Sequence, residues 1–154
     1  MESHYYNVDI NWNGERKGVM SSPELSRVVN SNIEVATPPE FPKGIPGIWS
    51  PEHLFTAAVS SCLMTTFLAI AENSKLSFQN FSCKSKGKLE LVDGKYLMTE
   101  IILEPTVTIE DEKDKEKAER VLQKSEAACL ISNSVKSKIT MNPTIKINHA
   151  AIQH

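Results

Sequence analysis

The stretch that decides the fold spans residues 50–73 and reads SPEHLFTAAVSSCLMTTFLAIAEN. Ser50 can cap a helix, Pro51 suits the first helical position, and Glu52 favours the positive end of the helix dipole. No charged residue occurs from residue 54 to residue 71, so the predicted helix is apolar on all sides. A helix of this kind belongs in the interior of a fold. We therefore expect a long buried central helix that ends at about residue 73.

The same uncharged run approaches the lower length limit of a membrane-spanning helix. Its hydrophobicity is diluted by five hydroxyl side chains: Thr56, Ser60, Ser61, Thr65 and Thr66. No cluster of Lys or Arg lies beside either end to set an orientation in a bilayer. The sequence therefore favours a helix buried on all sides in a soluble fold and predicts no membrane span.

Towards the N-terminus, apolar and polar residues alternate near the start of the chain. The apolar positions have the two-residue period of a half-buried strand: Tyr6, Val8, Ile10 and Trp12. Asn13-Gly14 then supplies a turn, and a second short strand at residues 18–22 completes a predicted hairpin. From residue 30 to residue 49, four prolines and two glycines disfavour both helix and central strand. We expect a long loop there.

On the C-terminal side of the helix, two more strands are predicted at residues 78–91 and 95–109. Asp93-Gly94 between them is a strong hairpin signal. After residue 110, small and apolar residues recur three and four positions apart, which predicts a second helix. Cys129 lies on the inward stripe of that helix.

The last regular element is predicted at residues 139–147, where Pro143 indicates an edge strand or a bulge. The order of strands, helix, strands, helix and strand is typical of α+β proteins. We expect antiparallel sheets with a long buried central helix and a second, cysteine-bearing helix. No repeat or linker interrupts the chain, so residues 1–154 are predicted to form a single domain.

The charge balance disfavours nucleic acid and anionic surfaces as partners. The 154 residues carry 17 Lys and Arg against 19 Asp and Glu, a formal net charge of -2. Three cysteines are too few for a disulfide scaffold, and the first ten residues do not resemble a secretory signal. We therefore expect a cytoplasmic protein.

No motif in the sequence predicts a cofactor. His, Cys and carboxylate residues do not have the spacing of a metal site. A Gly-rich phosphate loop, a serine nucleophile motif and a haem-attachment motif are also missing from the sequence. We expect neither metal, nucleotide nor haem.

The cysteines have two interpretations. Cys62 is in the middle of the apolar helix and Cys129 is on the inner face of another, and a free cysteine in such a place is often a small core residue. Two cysteines on two apolar helix faces can also be brought together when the helices pack. Cys83 lies in a predicted strand beside Lys84 and Lys86, and we assign it a structural role.

Two segments around the cysteines resemble a known family. The first reads WSPEHLF at residues 49–55 and AAVSSC at residues 57–62, similar to a signature of Asn-Pro-Glu-x-Leu-Phe followed by small residues and Cys. The second reads EAAC at residues 126–129, followed by Ser132. A weaker match, GERKG at residues 14–18, is similar to a basic turn from which some members take an active-site arginine. On these segments the chain resembles the osmotically inducible protein C and organic hydroperoxide resistance (OsmC/Ohr) family from residue 14 to residue 147.

The resemblance implies a thiol peroxidase that works as an intertwined homodimer. In such an enzyme Cys62 attacks the peroxide as a thiolate, becomes a sulfenic acid and is resolved by Cys129 as a disulfide, which a dithiol reductant reduces. A thiol in an apolar helix is expected to ionise at neutral pH only if a nearby positive charge favours the anion. The resemblance implies Arg16 as that cation, with Glu52 holding its guanidinium.

Helix geometry constrains where Glu52 acts. Ten residues of straight helix place it roughly 15 Å from Cys62 along the axis, so either the helix bends or a second chain supplies one of the two. The expected substrates are organic or lipid hydroperoxides, because four apolar residues of the Pro-rich loop predict an apolar entrance. They are Phe41, Ile45, Ile48 and Trp49.

The chain departs from the family pattern at three places. Leu130 follows Cys129 where the family usually has proline, and Ser50 replaces the usual asparagine as a helix cap. Other members take the arginine from the loop before the central helix, where this chain has Lys43 and no Arg. Arg16, Arg27 and Lys43 thus remain the candidates for the cation.

A second interpretation is a noncatalytic protein that binds a hydrophobic small molecule. In that case the apolar loop and helix hold the ligand and the cysteines only pack.

Overall fold

The computed structural model describes residues 2–25 and 31–149, whose contacts divide into two units, Met1–Leu54 and Phe55–His154. The first unit contains three strands: β1 Asp9–Trp12, β2 Lys17–Ser21 and β3 Ile33–Ala36. They form an antiparallel sheet in the order β1-β2-β3. The predicted hairpin is present, and Gly14 in its turn adopts a positive φ of 115° that suits glycine. All four residues of β1 are exposed, so the half-burial expected for this strand is not found.

The predicted long loop is wrong in its first part, because β3 pairs with β2 there. Ile33 and Val35 are β-branched residues that favour strands. The prolines begin only at Pro38, so the backbone N–H groups needed for pairing are all present in β3. After β3, the Ala36 N–H donates to the Trp49 carbonyl at 2.8 Å, which holds the two ends of the remaining loop together.

The central helix α1 spans Pro51–Asn73, as predicted. Ser50 and His53 form a reciprocal cap at its start. The His53 N–H donates to Ser50 Oγ at 3.2 Å, and the Ser50 N–H donates to His53 Nδ1 at 3.3 Å. This is the arrangement of a capping box, with a histidine nitrogen in the place of the usual carboxylate. The chain leaves the helix at Lys75, whose φ is 57°.

Burial of α1 is one-sided within this chain. Five of its residues are buried: Val59, Cys62, Leu63, Phe67 and Ala71. Met64 and Leu68 are 39% and 43% exposed. By length and composition α1 could cross a membrane, with a mean hydropathy of 1.9 over its most apolar 18 residues, of which 22% are buried. The core helix of a soluble protein has the same composition. The burial on all sides expected for α1 is therefore not found among the described residues.

The second unit contains a sheet built on two long strands, β4 Asn80–Val92 and β5 Lys95–Ile109. They are antiparallel, and Asp93 and Gly94 turn between them with φ of 49° and 79°, as in a type I′ hairpin. The last predicted strand is two strands, β6 Lys138–Met141 and β7 Thr144–Ile147, separated at Pro143. Both pair with β5 in parallel, so this sheet is mixed and not purely antiparallel as expected.

The second predicted helix is interrupted. Helix α2 spans Lys115–Ala128, and a short helix α3 spans Leu130–Ser134. Cys129 lies between them with φ of -64° and ψ of 110°, which is extended backbone. The expected single helix through Cys129 is therefore wrong, although Cys129 is buried as predicted.

Two apolar clusters attach α1 to the sheet and to α2. Val59 and Leu63 pack with β5 residues Ile101 and Leu103. Further along α1, Phe67 and Ala71 join a cluster that includes Val107, Ile109, Val121 and Leu122. Gly87 of β4 permits a close approach, because a Cβ there would lie 2.7 Å from Met98 Cε and nearer still to Thr56 Oγ1.

Candidate active site

Cys62 projects from the buried face of α1 and is 8% exposed. Thr66, one helical turn further along, lies on the same face. Its Oγ1 is 3.9 Å from Cys62 Sγ, within hydrogen-bond range for sulfur. The α1 helix thus places a thiol and a hydroxyl side by side.

Cys129 is fully buried at the junction of α2 and α3. Polar side chains around the junction satisfy backbone groups that a continuous helix would use itself. Asn133 Nδ2 donates to the Ala127 carbonyl at 3.1 Å, and Ser134 Oγ donates to the Leu130 carbonyl at 2.7 Å. Ser and Asn side chains compete with helical hydrogen bonds in this way. The segment after Cys129 therefore starts a new helix and does not extend α2.

The two thiols influence each other's ionisation, and a hydrogen bond from Cys129 is among the causes that lower the pKa of Cys62. Burial acts to raise the pKa of Cys62, but hydrogen bonds to its sulfur outweigh it, and the pKa lies below its ordinary value. The donors are the Ile131 N–H, the Cys129 thiol, the Thr66 hydroxyl and the Leu130 N–H. A sulfur that accepts several hydrogen bonds is stabilised as a thiolate.

Cys129 has the opposite tendency. Burial raises the pKa of its thiol, and the neighbouring Cys62 raises it further, against a lowering effect of Ser132. Of two adjacent thiols, Cys62 therefore ionises first while Cys129 keeps its proton. Both are free cysteines, and the structure brings together the pair selected from the sequence. Their part in catalysis stays a prediction.

Arg16 and Glu52, the other predicted site residues, line one cavity of about 560 Å³ in the first unit. Arg16 is exposed and Glu52 is partly buried. Most of the remaining wall is apolar, with Ile10, Trp12 and Phe41 among its residues. The wall of the cavity therefore contains one basic and one acidic side chain within a mostly apolar surface.

The alternative cations are placed differently. Lys43 is exposed in the loop, with φ of 62°. Arg27 lies outside the described residues. Of the apolar residues predicted to form an entrance, Phe41 lines the cavity of Arg16, whereas Ile48 and Trp49 line a separate one of about 310 Å³ beside His53. Ile45 is half-buried.

Cys83 is half-buried in β4 and packs against the cluster of Val59 and Leu63. Its Sγ lies 3.6 Å from Ser85 Oγ and 3.7 Å from the Lys84 carbonyl. The structural role of Cys83 stays a prediction. In the two described ranges, no group of three His, Cys, Asp or Glu side chains could hold a metal ion.

Four residues that influence the pKa of the two thiols were not predicted from the sequence to do so: Thr66, Leu130, Ile131 and Ser132. Thr66 could have been found, because it is four residues after Cys62 on a predicted helix. Ser132 was noted only as part of the cysteine segment. The backbone N–H groups of Leu130 and Ile131 carry no residue-type signal, since every residue except proline has one.

Comparison with known proteins identifies the family. A sequence model described as OsmC-like protein matches residues 44–144. An uncharacterised protein of Bacillus subtilis (strain 168), YmaD, is 23% identical over 146 residues, which cover 92% of this chain and 93% of that one.

Solved structures share the fold. An OsmC-like protein of unknown function from Vibrio cholerae matches with a TM-score of 0.80 at 21% identity, covering 92% of this chain and 99% of that one. An organic hydroperoxide resistance protein from Legionella pneumophila matches with a TM-score of 0.73 at 20% identity, covering 96% of this chain and 100% of that one. The matched segment contains both Cys62 and Cys129 within one α+β fold. The chain belongs to the OsmC-like protein family.

Proposed function

We propose that this protein is a thiol-dependent peroxidase that reduces organic hydroperoxides, with Cys62 as the peroxidatic cysteine and Cys129 as the resolving cysteine. The observation that carries the proposal is the contact of two buried free thiols, of which one has a lowered pKa and the other a raised pKa. The thiol with the lowered pKa is the better nucleophile towards the peroxide. The neighbouring thiol, which is still protonated, reacts only after the first has been oxidised.

The proposed cycle has three steps. The Cys62 thiolate attacks a peroxide oxygen, the O–O bond breaks, and the alkoxide takes up a proton and leaves as an alcohol. Cys62 is then a sulfenic acid, which condenses with the Cys129 thiol to form a disulfide and water. A dithiol reductant, either a small molecule or a protein, returns both cysteines to thiols by exchange.

The Cys62 thiolate is supported first by hydrogen bonds from its own chain, since the Leu130 and Ile131 N–H groups lie against its sulfur. We further propose that the guanidinium of Arg16, oriented by Glu52, stabilises the Cys62 thiolate in the complete active site. Both residues line one cavity. Because ten helical residues separate Glu52 from Cys62, about 15 Å of axial rise, we assign the completing residues to a second copy of the chain.

We therefore propose a homodimer. The apolar helix α1 leaves Met64 and Leu68 uncovered, and β1 exposes Ile10 and Trp12 by 59% and 78%. Exposed apolar side chains of this size are typical of interaction sites, and each of the two units presents some. Light scattering at micromolar concentration is expected to give a dimer mass, and a monomer mass contradicts this assignment.

The proposed substrates are organic hydroperoxides, with hydrogen peroxide as a poorer one. The cavity of Arg16 and Glu52 is walled largely by apolar side chains, among them Trp12 and Phe41. The transfer of an alkyl or aryl group from water to such an apolar surface is favourable. Hydrogen peroxide has no apolar group that could bind in this way. We place the protein in the cytoplasm, where dithiol reductants keep thiols reduced.

The decisive experiment is a reaction of the reduced protein with one equivalent of cumene hydroperoxide, followed by peptide mass spectrometry. Wild-type protein and Cys83→Ser are expected to form the disulfide between Cys62 and Cys129. Cys62→Ser should not turn over peroxide, and Cys129→Ser should stop at the oxidised Cys62. The proposal fails when wild-type Cys62 is still a thiol after minutes with peroxide.

The apolar cavity also supports a second candidate, a noncatalytic protein that binds a hydrophobic small molecule. A fluorescent apolar probe distinguishes the two functions. Under the binding interpretation, Cys62→Ser binds the probe as wild type does and peroxide leaves all three thiols unchanged.

A further inference from the structure

The side-chain hydroxyl of Ser132 is buried and has no hydrogen-bond partner among the described residues. The residue is 8% exposed, and its Oγ makes no hydrogen bond of normal geometry within residues 2–25 and 31–149. It lies on α3, three residues after Cys129. Buried hydroxyl groups are nearly always paired in native proteins, so a lone one requires an explanation.

The neighbour of this hydroxyl is the Cys129 sulfur. Both the hydroxyl and the backbone N–H of Ser132 lower the pKa of the Cys129 thiol. The other influences on that thiol, burial and the titratable Cys62 facing it from α1, raise its pKa. Ser132 therefore favours the Cys129 thiolate against both of them.

In the structure the hydroxyl has no hydrogen-bond partner among the described residues. The raised pKa of Cys129 favours its protonated thiol. A neutral thiol sulfur is a weak acceptor, whereas a thiolate accepts strongly. The hydroxyl thus gains a good partner only when Cys129 ionises, and this happens when Cys129 acts as a nucleophile.

We propose that Ser132 is a positioning residue for the resolving step, in which its hydroxyl donates to the ionising Cys129 sulfur. The proposal rests on the proposed peroxidase function. In this step the Cys129 sulfur attacks the Cys62 sulfur and the S–S bond forms. The S–O bond of the sulfenic acid breaks, and the departing hydroxide takes the thiol proton and leaves as water. The oxidising equivalents come from the hydroperoxide that was consumed in the first step.

The test separates the two steps by rapid quenching after one equivalent of cumene hydroperoxide. Loss of the Cys62 thiol and appearance of the disulfide are measured at a series of pH values. Ser132→Ala is expected to lose the Cys62 thiol at the wild-type rate but to form the disulfide about 10-fold more slowly, since a hydrogen bond to a charged group is removed. Its profile of disulfide formation should shift to higher pH.

Two further variants guard against a purely structural effect. Ser132→Thr keeps the hydroxyl and is expected to restore the wild-type pH profile. Ser134→Ala is the matched control, because Ser134 is exposed on the same helix and bonds to the Leu130 carbonyl. A wild-type rate and pH profile in Ser132→Ala would overturn the proposal.

A second measurement does not depend on peroxide chemistry. In the protein carrying Cys62→Ala and Cys83→Ala, Cys129 is the one remaining cysteine, and its ionisation is followed by the ultraviolet absorbance of the thiolate. Adding Ser132→Ala should raise the measured pKa of Cys129, and an unchanged pKa overturns the role of Ser132. If the wild-type protein does not form the disulfide with peroxide, the peroxidase function is rejected. The titration still shows whether Ser132 lowers the pKa of Cys129.

Discussion

The backbone N–H of Leu130 donates a hydrogen bond to the Cys62 sulfur. This N–H is available because Leu130 is the first residue of α3, where backbone donors have no helical partner. The OsmC/Ohr pattern usually has proline at this place, and proline has no N–H. Leu130 therefore offers Cys62 a backbone N–H that a proline at this position could not supply.

Leu130→Pro should raise the pKa of Cys62 with little effect on the fold. Proline suits the first position of a helix, and the extended Cys129 (ψ of 110°) has the conformation preferred before proline. Loss of one hydrogen bond to a thiolate is expected to slow alkylation of Cys62 by iodoacetamide at neutral pH by about 10-fold. The rate should recover at high pH, where the thiolate forms in both proteins.

The matched control is Leu130→Ala, which retains the N–H and removes a side chain that is 66% exposed. It should alkylate as wild type does. Equal pH profiles for the proline and alanine variants would show that the N–H has no influence on Cys62.

Replacing Cys129 should change the pKa of Cys62, and the size of the change should depend on whether residue 129 still has a side-chain hydrogen-bond donor. The Cys129 thiol lowers the pKa of Cys62 by donating to it. Cys129→Ala removes the donor, so the Cys62 pKa should rise and fewer molecules should hold a thiolate at neutral pH. Cys129→Ser keeps a hydroxyl donor and should remain closer to wild type. Alkylation of Cys62 as a function of pH, followed by peptide mass spectrometry, gives both midpoints, and identical midpoints argue against contact between the thiols.

Gly87→Ala should destabilise the second unit. The added methyl group would collide with Thr56 Oγ1 and Met98 Cε, and both belong to packed elements. Overpacking of this kind typically costs about 1–3 kcal/mol of unfolding free energy. Urea unfolding measures it.

A double-mutant cycle identifies the source of the Gly87→Ala effect. Thr56→Ala removes the nearest colliding atom and should recover part of the loss. Additive effects of the two substitutions would place the cause elsewhere, in the backbone conformation of Gly87 and not in the approach of α1.

Ser50→Ala should destabilise the start of α1. It removes the acceptor of the His53 N–H and the partner of His53 Nδ1. Loss of such a cap costs about 0.5–2 kcal/mol. Ser50→Asn should be close to neutral because asparagine caps equally well, and Ser61→Ala, at an exposed position of the same helix, serves as the control. A stable Ser50→Ala protein in urea unfolding would mean that α1 is held by packing alone.

The elements that the sequence predicted correctly are those with local signals at their ends. Helix α1 has its cap at Ser50 and an uninterrupted apolar run, and the hairpin of β4 and β5 has Asp93-Gly94 at its turn. The parallel pairing of β6 and β7 with β5 could not be predicted in this way. The choice of strand partner depends on contacts distant in sequence, which no local pattern encodes.

The candidate site was predictable in its residue types and not in its geometry. Cys62 and Cys129 were selected because they lie on two apolar helix faces that can pack together and because both segments resemble the family's cysteine segments. The break at Cys129 was missed because the apolar spacing of α2 continues through it, while the side chain of Asn133 competes with the helix. The donors on Leu130 and Ile131 exist only because of this break, so they were missed together with it.

The break between α2 and α3 has a mechanical consequence. In the proposed cycle the two sulfurs must approach more closely than in a hydrogen bond, so we expect the chain around one of them to adjust. Cys62 is within the continuous α1, whereas Cys129 has extended backbone between two helices, so an adjustment at Cys129 need not interrupt a helix. Under the proposed function, the junction between α2 and α3 is therefore where we expect the backbone to adjust when the disulfide forms.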